Sequence, residues 1–82
     1  MINILFFARL REVVGQRNVQ HQLSHDKTPT VNTVFEEIKD QFKQLGDEKN
    51  ISAALNQELL SDWNIQVQDG DEIAFFPPIT GG

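Results

Sequence analysis

The stretch "TVNTVFEEIKDQFKQLG", Thr30–Gly46, decides how this 82-residue chain folds. Val31, Val34, Phe35, Ile38, Phe42 and Leu45 recur at steps of three and four, which places them on one stripe of an α-helix. The spacing predicts a helix over about Val31–Leu45. Thr30 supplies an N-cap hydroxyl and Gly46 a C-cap, and Glu36 and Glu37 stand in the N-terminal half, where the helix dipole favours negative charge. A helix with a single apolar stripe needs an apolar surface to lie on, and the rest of the chain must provide it.

That surface is a sheet. Ile2–Ala8 reads as a strand with two apolar faces, Ile2, Ile4 and Phe6 on one and Leu5 and Phe7 on the other, the pattern of a central strand. In "ARLREVVGQ", Leu10, Val13 and Val14 have helical spacing and Gly15 ends a short helical turn. Asn18–Ser24 sets Val19, His21 and Leu23 against Gln20 and Gln22, a strand with one wet face. "ISAALNQELLSD" gives two short extended pieces around Asn56-Gln57, Trp63 and Ile65 are expected to tuck under the sheet edge, and "VQDGDEIAFF" supplies a turn and a last strand. Strand, strand, long helix, two short strands and a final strand make an α+β chain. The expected architecture is a β-grasp, one main helix packed on a mixed four- or five-stranded sheet. Residues 1–76 form its single domain and residues 77–82 an extended tail.

Composition narrows the function. The net charge of −5 argues against a nucleic-acid binder, because a phosphate backbone calls for a basic face. The absence of cysteine removes disulfides, a thiolate nucleophile and thiolate metal sites. "MINILFFARL" lacks a basic n-region and is interrupted by Asn3 and Arg9, so it does not read as a signal peptide, and no apolar run reaches membrane-spanning length. The expected address is cytoplasmic. "DGDE" at Asp69–Glu72 reads as a turn, because a calcium loop spreads more oxygen ligands over a dozen residues. His21 and His25 lack a second ligand at metal spacing, and no nucleophile elbow or phosphate loop is present. No metal site and no bound cofactor are expected, and the chain is non-catalytic alone.

The tail "PPITGG" is where chemistry can reside. Pro77-Pro78 forces an extended course off the last strand, and six residues reach roughly 20 Å. Gly81 and Gly82 make the tip thin enough for close approach to another protein's backbone. The functional group at that tip is the α-carboxylate of Gly82. A carboxylate is a poor electrophile and must be activated, most simply as a mixed anhydride with AMP. The activated acyl group is then open to attack by a lysine, giving an isopeptide, or by a sulfur donor, giving a thiocarboxylate.

"ILFFARLREVVG", "AALNQELL" and above all "DGDEIAFFPPITGG" resemble the small, sulfur-carrier subunits of molybdopterin synthase, a ubiquitin-like family. The resemblance implies that an ATP-dependent activating enzyme adenylates Gly82 and that a sulfurtransferase system converts it to a thiocarboxylate. The tail would then insert into the large synthase subunit through Pro77, Pro78, Ile79 and Thr80, with Gly81 as spacer. There it would deliver sulfur to cyclic pyranopterin monophosphate to form the molybdopterin dithiolene. The implied assembly is a heterotetramer of two small and two large subunits. Partner contacts would fall on Phe7, Arg11, Leu59 and Phe75. The alternation alone does not choose between Phe75 and Phe76 as the outward residue, and the resemblance points to Phe75. The alternatives are a ubiquitin-like modifier conjugated to lysines, a sulfur carrier for thiazole synthesis, and an interaction domain with an inert tail.

Overall fold

The computed structural model describes residues 1–23 and 28–78. Five strands form one mixed sheet: β1 (Ile2–Phe6), β2 (Asn18–His21), β3 (Ser52–Leu55), β4 (Glu58–Leu59) and β5 (Glu72–Phe76), in the order β2-β1-β5-β3-β4. The central pair β1 and β5 is parallel and the other three pairings are antiparallel. Two helices accompany the sheet, α1 (Ala8–Val14) and α2 (Val31–Gln41). This is the β-grasp arrangement.

β1 is central, as its two apolar faces require, and it ends at Phe6, two residues before the predicted limit. Ala8 takes φ 52°, a left-handed conformation that turns the chain out of the sheet and into α1. Gly15 at φ 81° closes α1, its N–H bonded to the Arg11 carbonyl at 2.8 Å. β2 stops at His21 rather than Ser24. Asn56 and Gln57, at φ 49° and 72°, form the two-residue reversal between β3 and β4, with Leu55 opposite Glu58. Gly70 at φ 90° turns the chain after Asp69, and Asp71 Oδ2 accepts the Gln68 N–H at 2.8 Å.

α2 starts where the cap predicts. Thr30 Oγ1 accepts the Thr33 N–H at 3.2 Å, and Thr33 Oγ1 accepts the Thr30 N–H at 2.8 Å. The next unpaired donors go elsewhere: Val31 N–H to the Ile65 carbonyl at 3.1 Å and Asn32 N–H to the Trp63 carbonyl at 2.9 Å. The segment before β5 is therefore held on the helix by its backbone. Trp63 packs beneath the sheet as expected, but Ile65 contributes its carbonyl and leaves its side chain exposed.

The other end of α2 departs from the periodicity. The α-helix stops at Gln41, Phe42 turns the backbone out (φ −121°, ψ 86°), and Lys43–Asp47 forms a 3₁₀ turn that contains Gly46. Leu45 still reaches the core, fully buried, because this turn packs against both α1 and α2. Arg9 fastens the junction with two hydrogen bonds to the Glu48 carboxylate, at 2.8 and 3.2 Å.

Candidate functional site

Pleating divides the sheet into two unlike faces, and register decides which residues each receives. On the helix side, Ile4 lies beside Ile73, and Phe6, Phe75 and Ala53 form the next row across three strands. These side chains are buried under Val31, Val34, Phe35 and Ile38 of α2. On the other side, no described helix covers the row Leu5, Ala74, Ala54, Leu59, which crosses β1, β5, β3 and β4. The small alanines make its middle low. The row before it is polar, with Asn3 beside Glu72 and Asn3 Oδ1 accepting from the side-chain amides of Asn18 and Gln20 at 3.3 and 2.9 Å. Beyond it, at the end from which the tail departs, stand Phe7 and Phe76. The open face thus grades from polar to aromatic toward the tail.

Phe7 is 46% exposed and Leu59 61%, so both lie where a partner can reach them, and Arg11 on α1 is exposed beside Phe7. Such large apolar groups together on one uncovered face make it a candidate surface for protein contact.

Phe75 does not belong to that surface. Its side chain is 0% exposed, with ring centroids 5.0 Å from Phe35, 5.6 Å from Trp63 and 6.2 Å from Phe6. It pairs with Phe6 in the parallel ladder, and paired residues share a face, so it follows Phe6 into the core. The outward position is held by Phe76, half-buried opposite Ser52. The sequence held a signal for this. Ile73 and Phe75 alternate with Glu72, Ala74 and Phe76, and the face without the acid is the better core face.

β5 ends at Phe76, Pro77 is half-buried and Pro78 exposed. Phe7 N–H donates to the Phe75 carbonyl at 3.1 Å, so the tail leaves the body immediately beside Phe7. The predicted positions Ile79, Thr80, Gly81 and Gly82 lie outside the described residues.

The start of β5 is fixed by one side chain. Asn56 accepts the Glu72 N–H at 2.9 Å and donates to Asp71 Oδ1 at 3.0 Å, tying the β3–β4 reversal to the strand that carries the tail. At the far edge of the sheet, His21 Nε2 lies 2.7 Å from Glu37 Oε1 and links β2 to α2. Both histidine and glutamate are thereby used in holding the fold.

The sequence pattern of the ThiS family matches residues 4–82, nearly the whole chain. The chain belongs to the ThiS family. It is 38% identical over 85 residues to the molybdopterin synthase sulfur carrier subunit of Escherichia coli, an alignment that covers 100% of both chains. The corresponding Haemophilus influenzae subunit is 35% identical over 82 residues, again with 100% of both covered. Among solved structures, that of SAMP1 from Haloferax volcanii superposes with a TM-score of 0.82 at 27% identity, covering 99% of this chain and 98% of the other. ThiS-family membership agrees with the ubiquitin-like β-grasp topology, and the aligned region includes β5 and the Gly-Gly end.

Proposed function

We propose that this ThiS-family protein is the sulfur carrier subunit of a molybdopterin synthase. The observation that carries the reading is the end-to-end match at 38% identity with the E. coli sulfur carrier subunit. It is supported by a tail that departs beside an uncovered apolar face, where an enclosing protein would meet both together.

In this reading an activating enzyme supplies ATP. The Gly82 carboxylate attacks the α-phosphorus, pyrophosphate leaves and an acyl-adenylate results. Sulfur at the sulfide level, delivered by a sulfurtransferase system, then displaces AMP and leaves a thiocarboxylate on Gly82. In the large subunit, that sulfur passes to the carbon skeleton of cyclic pyranopterin monophosphate, and water returned to the acyl carbon restores the carboxylate. Two such deliveries make one dithiolene. This chain contributes the acyl terminus and its presentation: Pro77 to Thr80 thread the pocket and Gly81 and Gly82 pass its narrowest part. Phe7, Leu59 and Phe76, with Arg11, dock on the large subunit and on the activating enzyme. Two small and two large subunits form the complex, in the cytoplasm.

Intact-mass measurement of the protein from its native cells tests the reading. Replacement of one terminal oxygen by sulfur is the expected result, and deletion of Gly82 is expected to abolish molybdopterin synthesis. Full synthesis with the truncated chain overturns it. A second reading, a modifier joined to lysines, draws on the likeness to Haloferax volcanii SAMP1, the small archaeal modifier protein 1. Isopeptide-linked adducts on many proteins, in place of the terminal sulfur, would favour it.

A further inference from the structure

Arg11 and Arg17, two of the seven Lys and Arg residues in a chain of net charge −5, line one depression of about 300 Å³ with Leu5, Phe6 and Phe7. The other arginine nearby is already committed. Glu48 hydrogen-bonds to Arg9 and holds its guanidinium above the usual arginine range, chiefly through that bond and then through its charge. Among the described residues, neither Arg11 nor Arg17 has a carboxylate within 4.0 Å.

Arg17 also has a fixed origin. Its carbonyl accepts the Phe6 N–H at 2.9 Å, which continues the β1–β2 ladder one step beyond Asn18 and pins the residue beside the end of β1. Arg11 approaches from α1. The depression has a largely apolar lining, which Arg11 joins from α1 and Arg17 from the bend just before β2.

We propose that this notch takes a single Asp or Glu side chain of the protein that receives the tail, and that Arg17 sets the preference for it. The identity of that protein rests on the carrier reading. Position supplies the first argument: the notch shares Phe7 with the tail's exit, so a protein that encloses the chain beyond Pro77 covers the notch in the same contact. Desolvation supplies the second. A guanidinium buried under a partner without an anion is strongly unfavourable, so a surface that covers Phe7 must bring a counter-charge. Shape supplies the third. A planar guanidinium pairs with a carboxylate through two parallel hydrogen bonds, and the Leu5–Phe7 floor suits the methylenes of an acidic side chain better than a fully hydrated free anion.

The test is calorimetric titration of the full-length chain with its large subunit and with its activating enzyme, at low and high salt. Arg17→Ala is expected to weaken at least one partner about tenfold and to flatten the salt dependence, and Arg17→Glu to weaken it about a hundredfold. Arg17→Lys, which keeps the charge and loses the planar fork, is expected to fall between wild type and Arg17→Ala. Unchanged melting temperatures confirm that the variants are folded. Wild-type affinity of Arg17→Glu for both partners overturns the proposal. So does Arg17-dependent binding of inorganic phosphate by the isolated chain with partner affinities that ignore Arg17, which would mark a small-anion site. The carrier reading stands or falls separately, on the mass of the Gly82 end.

Discussion

The two faces of the sheet are built from the same strands and differ in almost every other respect. The helix side is filled by Ile4, Phe6, Ile73 and Phe75, all within 1% of full burial. The opposite side has two alanines in the middle of its longest apolar row and leaves Phe7 and Leu59 in water. The closed face stabilises the fold, while the open face leaves apolar area in water. A single residue of register separates the two roles, and the adjacent Phe75 and Phe76 stand on either side of that division.

The largest expected effect breaks the closed face. Phe75→Ala removes a ring that touches Phe6, Phe35 and Trp63, and should lower stability by about 3–5 kcal/mol through lost burial and an unfilled cavity. Urea unfolding measures this. A loss below about 1 kcal/mol would mean that the residue is not in the core.

A smaller effect loosens the cover over that face. Thr30→Ala deletes the capping hydroxyl and one side of its reciprocal pair with Thr33, and should cost about 1 kcal/mol in the same assay. Of opposite sign is Gln57→Gly. Gln57 holds φ 72° in the β3–β4 reversal, where glycine is at ease, so the substitution should raise stability by roughly 0.5–1 kcal/mol.

The least change in stability is expected on the open face. Leu59→Ala should stay within about 0.5 kcal/mol of wild type, since the side chain is already mostly in water. Its effect should appear instead as weaker binding of the large subunit. Phe76→Ala should destabilise less than Phe75→Ala and weaken binding more, and reversal of that order would overturn the assignment of the two faces.

Much of this was legible in the chain. The apolar stripe of α2, the cap at Thr30, the central position of β1 and the reversal at Asn56-Gln57 all followed from local pattern, because each depends on a spacing that neighbours in sequence set. Three features escaped for a common reason. The end of α2 is set by how Leu45 packs against α1, which the periodicity cannot see. Ile65 looked like a core residue by composition, yet its segment is held by backbone bonds to α2 that need no side chain. Arg17 had no motif around it, and its place opposite Phe6, at the rim of the depression that Phe7 also lines, comes from the pairing of β2 with β1.

By itself, then, the sequence determined the elements, their order and the chemical character of the tail, since hydrophobic period, turn residues and the absence of thiols are properties of the chain. The tertiary structure decided which of two neighbouring phenylalanines faces the helix and which faces outward. It also decided that two arginines six residues apart converge on one notch. Both outcomes depend on how the neighbouring strands pair with β1. A period-two pattern tells which residues share a face, and the pairing of Phe75 with Phe6 puts that face under the helix.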